Sequence, residues 1–216
     1  MLLYGERPMV RKRKRGMETS GRILSCAAEV FARKGYERAT LGEIASAAGI
    51  RESSVYNHFG GKAAILQRLI EAFREGSPRF RPPDADLERM LDALSPPELM
   101  KGVLLYYGAH APRMLEHVAL VLESEMCHHP EAARAYRDCI VREPVEYYER
   151  LFGKMTQRGM IAPVDARMLA EQYNYLVIAL KRDYCMAEPG ERGRPEAVRN
   201  LMKSIDFFFE RLALRR

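Results

Sequence analysis

One stretch of the sequence, residues 41–62, constrains the fold of this chain more than any other. Its first part repeats apolar residues at the i, i+3, i+4, i+7 spacing of a short amphipathic helix. The residues of this repeat are Leu41, Ile44, Ala45 and Ala48. Gly49 follows, and glycine readily takes the positive φ found just after a helix. The pattern predicts a short helix that ends in a tight turn.

A second short helix is predicted from about residue 52 to residue 58, with Val55 and Phe59 facing inward. The side chains left to face outward are mostly hydrogen-bonding ones. They are Ser53, Ser54, Tyr56, Asn57 and His58. Two short helices joined by a glycine-containing turn predict a helix-turn-helix whose second helix enters a DNA major groove. An ordinary helical hairpin with a polar surface remains the alternative at this point.

The distribution of charge favours the DNA-binding interpretation. Residues 1–75 contain 14 Lys and Arg against 8 Asp and Glu, a net charge of +6, whereas residues 76–216 contain 21 of each. The excess positive charge therefore lies entirely in the part of the chain that holds the helix-turn-helix. A localised basic field is typical of a nucleic-acid-binding face.

The flanking segments complete the predicted DNA-binding part. Residues 1–17 contain five consecutive cations, residues 11–15, and are predicted to form a flexible basic arm. A first helix is predicted from residue 19 to residue 34 and a fourth from residue 62 to about residue 74. Thr40 stands where its hydroxyl can cap the second helix or meet a phosphate. Lys62 at a helix start is unfavourable for the helix dipole unless an anion such as a phosphate lies nearby.

Residues 19–66 resemble the DNA-binding domain of the TetR family of bacterial transcriptional regulators. The matching residues are Ile23, Ala27, Ala28, Phe31, Gly35, Tyr36, Thr40, Ile44, Ala45, Ala48, Gly49, Val55, Tyr56, Phe59, Lys62 and Leu66. The resemblance implies that some of these positions contact DNA phosphates or bases. They are Thr40, Ser54, Tyr56, His58 and Lys62. Arg51, Ser53 and Asn57 are added as DNA-binding candidates from their position alone.

Three features depart from the family's usual pattern. Arg51 stands where the family commonly has Ser or Thr, so the recognition helix lacks its usual cap. Glu52 can accept a hydrogen bond from a cytosine amino group or complement the helix dipole. Gly60 and Gly61 replace a more typical polar pair and leave the fourth helix weakly capped.

The rest of the chain is predicted to be entirely helical, which makes the fold all-α. The predicted helices span residues 84–94, 96–109, 111–127, 130–157, 165–186 and 195–214, with prolines at or near the breaks and Pro144 inside the fourth. We divide the chain into a basic arm (1–17), a helix-turn-helix DNA-binding domain with its connecting helix (18–75), and a helical ligand-binding and dimerisation domain (76–216). The last part resembles the family only in its layout.

The two final helices are expected to form a homodimer. In similar proteins such helices, here residues 165–186 and 195–214, pair with their twofold mates in a four-helix bundle. Phe207 and Phe209 flank Phe208, which we place on the inward face, so the last helix is apolar around much of its girth. A helix of this kind needs more than one partner surface. A purely intramolecular core is the alternative.

A pocket for an unknown small-molecule effector is expected between the middle helices. The candidate lining residues are polar or aromatic side chains within apolar faces. They are Tyr106, His110, Met114, His117, Tyr147 and Tyr173. His117 lies in an apolar segment where a polar ring needs a partner. Aromatic residues and methionines also serve as plain core, so the pocket assignment is a hypothesis.

The sequence contains no motif typical of an enzyme active site, and we expect neither catalysis nor a cofactor. The Cys127-His128-His129 run is not expected to bind a metal, because three adjacent ligands rarely converge on one ion. No segment is long and apolar enough for a membrane span. We expect a cytoplasmic, ligand-responsive transcriptional regulator, a repressor in type, that binds a pseudo-palindromic operator as a dimer and joins the nucleoid when bound. The alternative is a helical protein that binds nucleic acid without sequence preference.

Overall fold

A computed structural model describes residues 19–186 and 193–210 of the 216-residue chain. Within these ranges the regular elements are all helical, which confirms the predicted all-α fold. The predicted basic arm at residues 1–17 and the end of the last predicted helix lie outside the described residues.

Where a predicted helix end has a counterpart among the described residues, the two agree to within two residues. In chain order they are α1 (Thr19–Lys34), α2 (Leu41–Ala48), α3 (Glu52–His58), α4 (Lys62–Gly76), α5 (Asp84–Ala93), α6 (Pro96–His110), α7 (Arg113–Glu125), α8 (Pro130–Tyr136), α9 (Glu143–Gln157), α10 (Ala166–Met186) and α11 (Gly193–Glu210). A 3₁₀ turn, Ser77–Phe80, follows α4.

The segment predicted as one helix over residues 130–157 is interrupted in its middle. A π-helical turn, Arg137–Arg142, separates α8 from α9, and Pro144 lies in the first turn of α9. Proline has no N–H to donate, and its ring clashes with the carbonyl four residues earlier, so regular α-helical bonding cannot continue through it. The Val141 carbonyl in this turn accepts a hydrogen bond of 3.5 Å from Nδ2 of the buried Asn174 on α10. A carbonyl in the interrupted region is thereby satisfied from outside the helix.

The described residues pack into two compact units. The HTH unit comprises residues 19–80 and 111–140, and the C-terminal unit comprises residues 81–110, 141–186 and 193–210. Helices α7 and α8 therefore pack with the helix-turn-helix, although their residues belong to the predicted domain 76–216. The predicted division at residue 75 stays a prediction about functional parts, whereas packing divides the chain differently.

The HTH unit has one continuous apolar core. Helices α1, α2, α3, α4, α7 and α8 all contribute buried side chains to it. Ile23 and Phe31 of α1, Ile44 of α2, Val55 of α3 and Leu122 of α7 are each fully buried. Burying side chains of this size removes about 1.5–3 kcal/mol of unfavourable hydration per residue. The position of the short helices α2 and α3 is thus fixed by packing rather than by their own helix propensity.

The C-terminal unit is built on α9, α10 and α11, with α6 packed against α11. Its core contains an aromatic cluster in which the Tyr148 and Tyr173 ring centroids lie 4.9 Å apart. On α11 Phe208 packs against the core as predicted, but the prediction missed that Phe209 is buried more deeply. Phe209 is the core residue at 4% exposure, Phe208 is partly buried, and Phe207 is 60% exposed. The buried line follows the i+4 spacing from Ile205 to Phe209, which turns Phe207 outward.

Two glycine variants test how much the positive φ of Gly49, in the turn before α3, matters for stability. Gly49 has φ +67° and ψ +36°, and a Cβ added there would meet no atom within 4 Å. Gly49→Ala should therefore lower the free energy of unfolding by about 1 kcal/mol through backbone strain alone. Gly60→Ala is the matched control, because Gly60 has equal space around it but no positive φ. Equal unfolding free energies for the two variants, measured by urea denaturation, would contradict this prediction.

Candidate DNA-binding surface

Helix α2 begins with a complete capping box. The Thr40 hydroxyl accepts a hydrogen bond from the Glu43 N–H at 3.2 Å, and the Glu43 carboxylate accepts one from the Thr40 N–H at 3.1 Å. Glu43 also pairs with Lys34 at the end of α1. These hydrogen bonds lower the pKa of Glu43, with the one from Lys34 as the largest cause. A hydroxyl that accepts one bond can still donate another, so Thr40 can cap α2 and contact a phosphate at once.

Helix α3 is held by its inward residues and leaves its polar ones free to face outward. Val55 is fully buried, and Phe59, just after the helix, packs against the same core. Arg51 precedes α3 without a side-chain capping bond, as its sequence predicted. Gly61 likewise precedes α4 without a side-chain cap.

The outward side of α3 carries most of the candidate DNA-binding residues. Arg51, Ser53, Tyr56, Asn57 and His58 are exposed, together with Thr40, and Ser54 is half-buried. Tyr56 is 56% exposed although it is a large aromatic residue. Its ring therefore stands on the outward side of the helix, where a partner can contact it.

Lys62 makes contacts within the protein that the sequence analysis did not predict. Its Nζ donates hydrogen bonds to the carbonyl oxygens of Tyr36 at 2.7 Å and Glu37 at 2.9 Å, and lies 4.6 Å from the centroid of the Tyr36 ring. The cation therefore satisfies carbonyls just beyond the C-terminal end of α1, where positive charge is favourable. The ammonium has three donors, so the predicted phosphate contact stays a prediction beside this structural role.

Glu52 leans back toward α2. A Cβ built on Gly42 would lie 3.1 Å from the Glu52 Oε2, so the carboxylate rests against the first turn of α2. Negative charge is favourable at a helix N-terminus. This arrangement explains an acidic residue beside the recognition surface without requiring a base contact.

The six candidate effector-binding residues fall into the two packing units. Met114 and His117 lie on α7 in the HTH unit, and Tyr106, His110, Tyr147 and Tyr173 lie in the C-terminal unit. The Tyr106 and His110 rings stack at 3.9 Å, and the His110 Nδ1 lies 2.8 Å from the Tyr106 carbonyl oxygen. Burial lowers the pKa of His117, aided by Arg113, which favours a neutral ring there.

Tyr147 and Tyr173 are brought together by Tyr148, whose ring lies 5.4 Å from the first and 4.9 Å from the second. Burial raises the pKa of Tyr147 to about 12 and also raises that of Tyr173. Both phenols are thus protonated near neutral pH. Among the described residues, both hydroxyl oxygens are buried without a hydrogen-bond partner. The guanidinium carbon of Arg81 stands 4.3 Å from the centroid of the Tyr147 ring.

A large apolar groove lies between α10 and α11, and none of the six candidates lines it. Its volume is about 850 Å³. It is lined by Leu169, Gln172, Tyr175, Leu176, Lys203, Ser204, Phe207 and Phe208. Tyr175 and Phe207 are 50% and 60% exposed, and the nearby Met168 on α10 is 53% exposed. Tyr173 of the same helix is buried, whereas Met168 is turned outward.

The Cys127-His128-His129 run does not converge on one point. Cys127 and His128 are exposed, whereas the His129 Nε2 lies 3.3 Å from the Glu37 Oε1 and 3.4 Å from the Glu125 Oε2. Within residues 19–186 and 193–210 no group of His, Cys, Asp and Glu side chains is arranged to hold a metal ion. In the same ranges no helix has the length and apolar character to cross a membrane.

Comparison with known proteins identifies the family of the helix-turn-helix region. The family profile described as bacterial regulatory proteins of the tetR family matches residues 23–69. TtgW of Pseudomonas putida, named as an HTH-type transcriptional regulator, is 36% identical over 101 residues, which are 42% of this chain and 75% of TtgW. The HTH-type transcriptional regulator SrpR of Pseudomonas putida is also 36% identical over 101 residues, but these cover only 47% of SrpR. This chain therefore matches about half the length of that relative.

The fold is shared with a solved regulator over nearly its whole length. AibR, crystallised with isovaleryl coenzyme A and operator DNA, superposes with a TM-score of 0.61 at 22% identity, covering 87% of this chain and 97% of AibR. The named relatives are transcriptional regulators and not enzymes. The profile match, the identity to TtgW and the helix-turn-helix built by α2 and α3 lead to one conclusion: this chain belongs to the TetR family of bacterial transcriptional regulators.

Proposed function

We propose that the protein is a dimeric repressor that binds a pseudo-palindromic operator and releases it when a small-molecule effector binds. The observation that carries the proposal is the outward face of α3, which exposes Tyr56 and a row of hydrogen-bonding side chains while Val55 anchors the helix in the core. A helix held in this way can enter a major groove without losing its position. The proposal places the protein in the cytoplasm and on the nucleoid when DNA is bound.

The proposed DNA contacts divide by chemistry. Thr40, Tyr56 and Lys62 suit phosphate oxygens, which set the register of the protein on the duplex. We propose that base edges are contacted by Arg51, Ser53, Ser54, Asn57 and His58. Arginine can pair with guanine and asparagine with adenine in the major groove. The net charge of +6 over residues 1–75 supports an electrostatic attraction to the phosphate backbone.

Dimerisation is proposed through the groove face of α10 and α11. Met168, Tyr175 and Phe207 expose large apolar side chains on adjacent helices, an arrangement that is costly in water. A second copy of the same face, related by a twofold axis, would cover them. The two recognition helices would then address two half-sites, which is why we propose a pseudo-palindromic operator.

The effector is proposed to bind in the helical part outside the helix-turn-helix. The unpartnered phenol hydroxyls of Tyr147 and Tyr173 support a site in the C-terminal unit, since protonated phenols donate hydrogen bonds to an oxygen acceptor. AibR provides a precedent for a regulator of this fold that binds both a small molecule and its operator. Release of DNA would follow from a population shift, in which the effector favours an arrangement that no longer matches both half-sites.

Selection of bound sequences from random double-stranded DNA at near-physiological salt tests the proposal. Enrichment of an inverted repeat is expected, because a twofold dimer reads the same bases twice. Binding that enriches no sequence and weakens equally for all DNA as salt rises would instead identify a non-specific nucleic-acid-binding protein.

A further inference from the structure

The loop between α1 and α2 is held by charged side chains that come from distant parts of the sequence. This loop contains Tyr36 and Glu37 and leads within a few residues to Thr40, the cap of α2. Lys62 of α4 binds its carbonyl oxygens, as described above. Two further residues, Glu125 at the end of α7 and His129 just before α8, approach the same loop.

Glu125 is an acidic residue with an unusual environment, since it is only 6% exposed. Its Oε1 accepts a hydrogen bond of 3.2 Å from the backbone N–H of Tyr36, which lies 89 residues away in sequence. A buried carboxylate is costly unless hydrogen bonds or an opposite charge compensate it. The Tyr36 N–H provides such a hydrogen bond, and the His129 ring lies beside the same carboxylate.

His129, in the connection between α7 and α8, also contacts the α1–α2 loop. Its ring packs edge-on against Tyr36 with centroids 5.1 Å apart. Its Nε2, at 3.3 Å from Glu37 and 3.4 Å from Glu125, is at ion-pair distance from two carboxylates but outside hydrogen-bond alignment with either. The side chains of His129 and Glu125 are 31% and 8% exposed, so water screens the interaction between these two side chains only in part.

The groups around this loop come from different parts of the chain. The loop itself contributes Glu37 and α7 contributes Glu125, and both carboxylates lie beside the His129 ring. Lys62 of α4 lies 4.6 Å from the centroid of the Tyr36 ring, against which His129 also packs. Side chains from α4, α7 and the α7–α8 connection therefore hold one loop.

We propose that Glu125 and His129 are positioning residues for operator binding, which hold Tyr36 and Glu37 and thereby set the start of α2 and the placement of α3. This inference rests on the proposed function, because it assumes that α3 reads DNA. It adds that the placement of the recognition helix α3 for DNA binding depends on residues of α7 and of its connection to α8. These residues are far from α3 in sequence.

The test compares His129→Gln with His128→Gln, a matched change at the exposed neighbouring histidine. Operator affinity of both variants is compared with that of the unchanged protein in the same buffer. His129→Gln should bind about threefold to tenfold more weakly than the unchanged protein, since the ring that packs against Tyr36 and lies beside both carboxylates has been lost. His128→Gln should match the unchanged protein.

Unchanged operator affinity in His129→Gln would overturn the proposal, as would an equal loss in His128→Gln. Thermal unfolding of each variant shows whether a loss of affinity reflects positioning or a general loss of folded protein.

Hydrogen exchange separates this inference from the proposed function. In Glu125→Ala, the peptide that contains Tyr36 and Glu37 should exchange about tenfold faster, because the Tyr36 N–H has lost its buried acceptor. Glu131→Ala, at an exposed glutamate on α8, is the matched control and should leave the peptide unchanged. If no DNA sequence is enriched in the selection, the proposed function fails and this exchange result alone decides whether the loop is held. Unchanged exchange in Glu125→Ala would overturn the positioning role.

Discussion

Replacement of Phe207 by arginine is expected to convert the proposed dimer to a monomer. Phe207 is 60% exposed and lines the α10–α11 groove together with Tyr175 and Lys203. In a twofold pairing of this face, the new cation would lose its hydration and would lie near Lys203 as well. Burying an unpaired charge costs several kcal/mol, so dimerisation should weaken by at least about a hundredfold.

Analytical ultracentrifugation over a range of concentrations checks this prediction, and a DNA shift assay checks its consequence. A monomer can occupy only one half-site, so operator affinity should fall with the loss of the dimer. Gln157→Arg introduces the same residue at an exposed position on α9. It is the control and should leave both measurements unaltered. A Phe207→Arg protein that remains dimeric at the same concentrations would place the interface elsewhere.

Tyr56→Ala and Lys62→Ala are expected to have comparable effects on DNA binding but different effects on folding. Tyr56 is 56% exposed, so its removal should cost little stability while operator affinity falls by about tenfold to a hundredfold. Lys62 donates to two carbonyl oxygens within the protein. Its removal leaves both without that donor and should lower the free energy of unfolding by about 1–3 kcal/mol, in addition to any loss of phosphate contact.

Urea denaturation and operator titration of both variants separate the two roles. If Lys62→Ala unfolds at the same urea concentration as the unchanged protein, the carbonyl contacts contribute no stability. If Tyr56→Ala retains full operator affinity, the outward ring of α3 makes no useful DNA contact. Gly60→Ala, two residues from Lys62 and exposed, serves as the control for substitution in this turn.

The helix-turn-helix could be predicted from sequence because its signals are local. The i, i+3, i+4, i+7 spacing in α2, the capping hydroxyl of Thr40 and the positive φ of Gly49 each involve residues within one or two turns of a helix. The packing of α7 and α8 against this motif could not be predicted in the same way. Amphipathic helices show which face is buried, but not against which partner.

The residues that sequence reasoning misplaced are those whose environment is set by distant contacts. Lys62 was assigned to phosphate from its place at a helix start and from the family resemblance, and that contact stays a prediction. Its carbonyl partners lie 25 and 26 residues away in sequence and could not be predicted from local pattern. Glu125 was not singled out, since its partner Tyr36 is 89 residues away. In the run Phe207 to Phe209, three equally apolar neighbours leave the inward direction undetermined, and only packing around Ile205 decides it. The roles of the DNA-contacting and effector-binding candidates stay predictions.

The two-sided use of α10 and α11 has a thermodynamic consequence. Tyr173 and Ile205 of these helices belong to the core of their own chain, whereas Tyr175 and Phe207 belong to the proposed dimer face. In the proposed dimer, folding of the C-terminal unit and association with a second copy would be linked by mass action. The unfolding temperature is then expected to rise with protein concentration. A regulator present in few copies per cell would then be less stable than the same protein at laboratory concentration, and its supply of folded dimer would depend on how much of it is made.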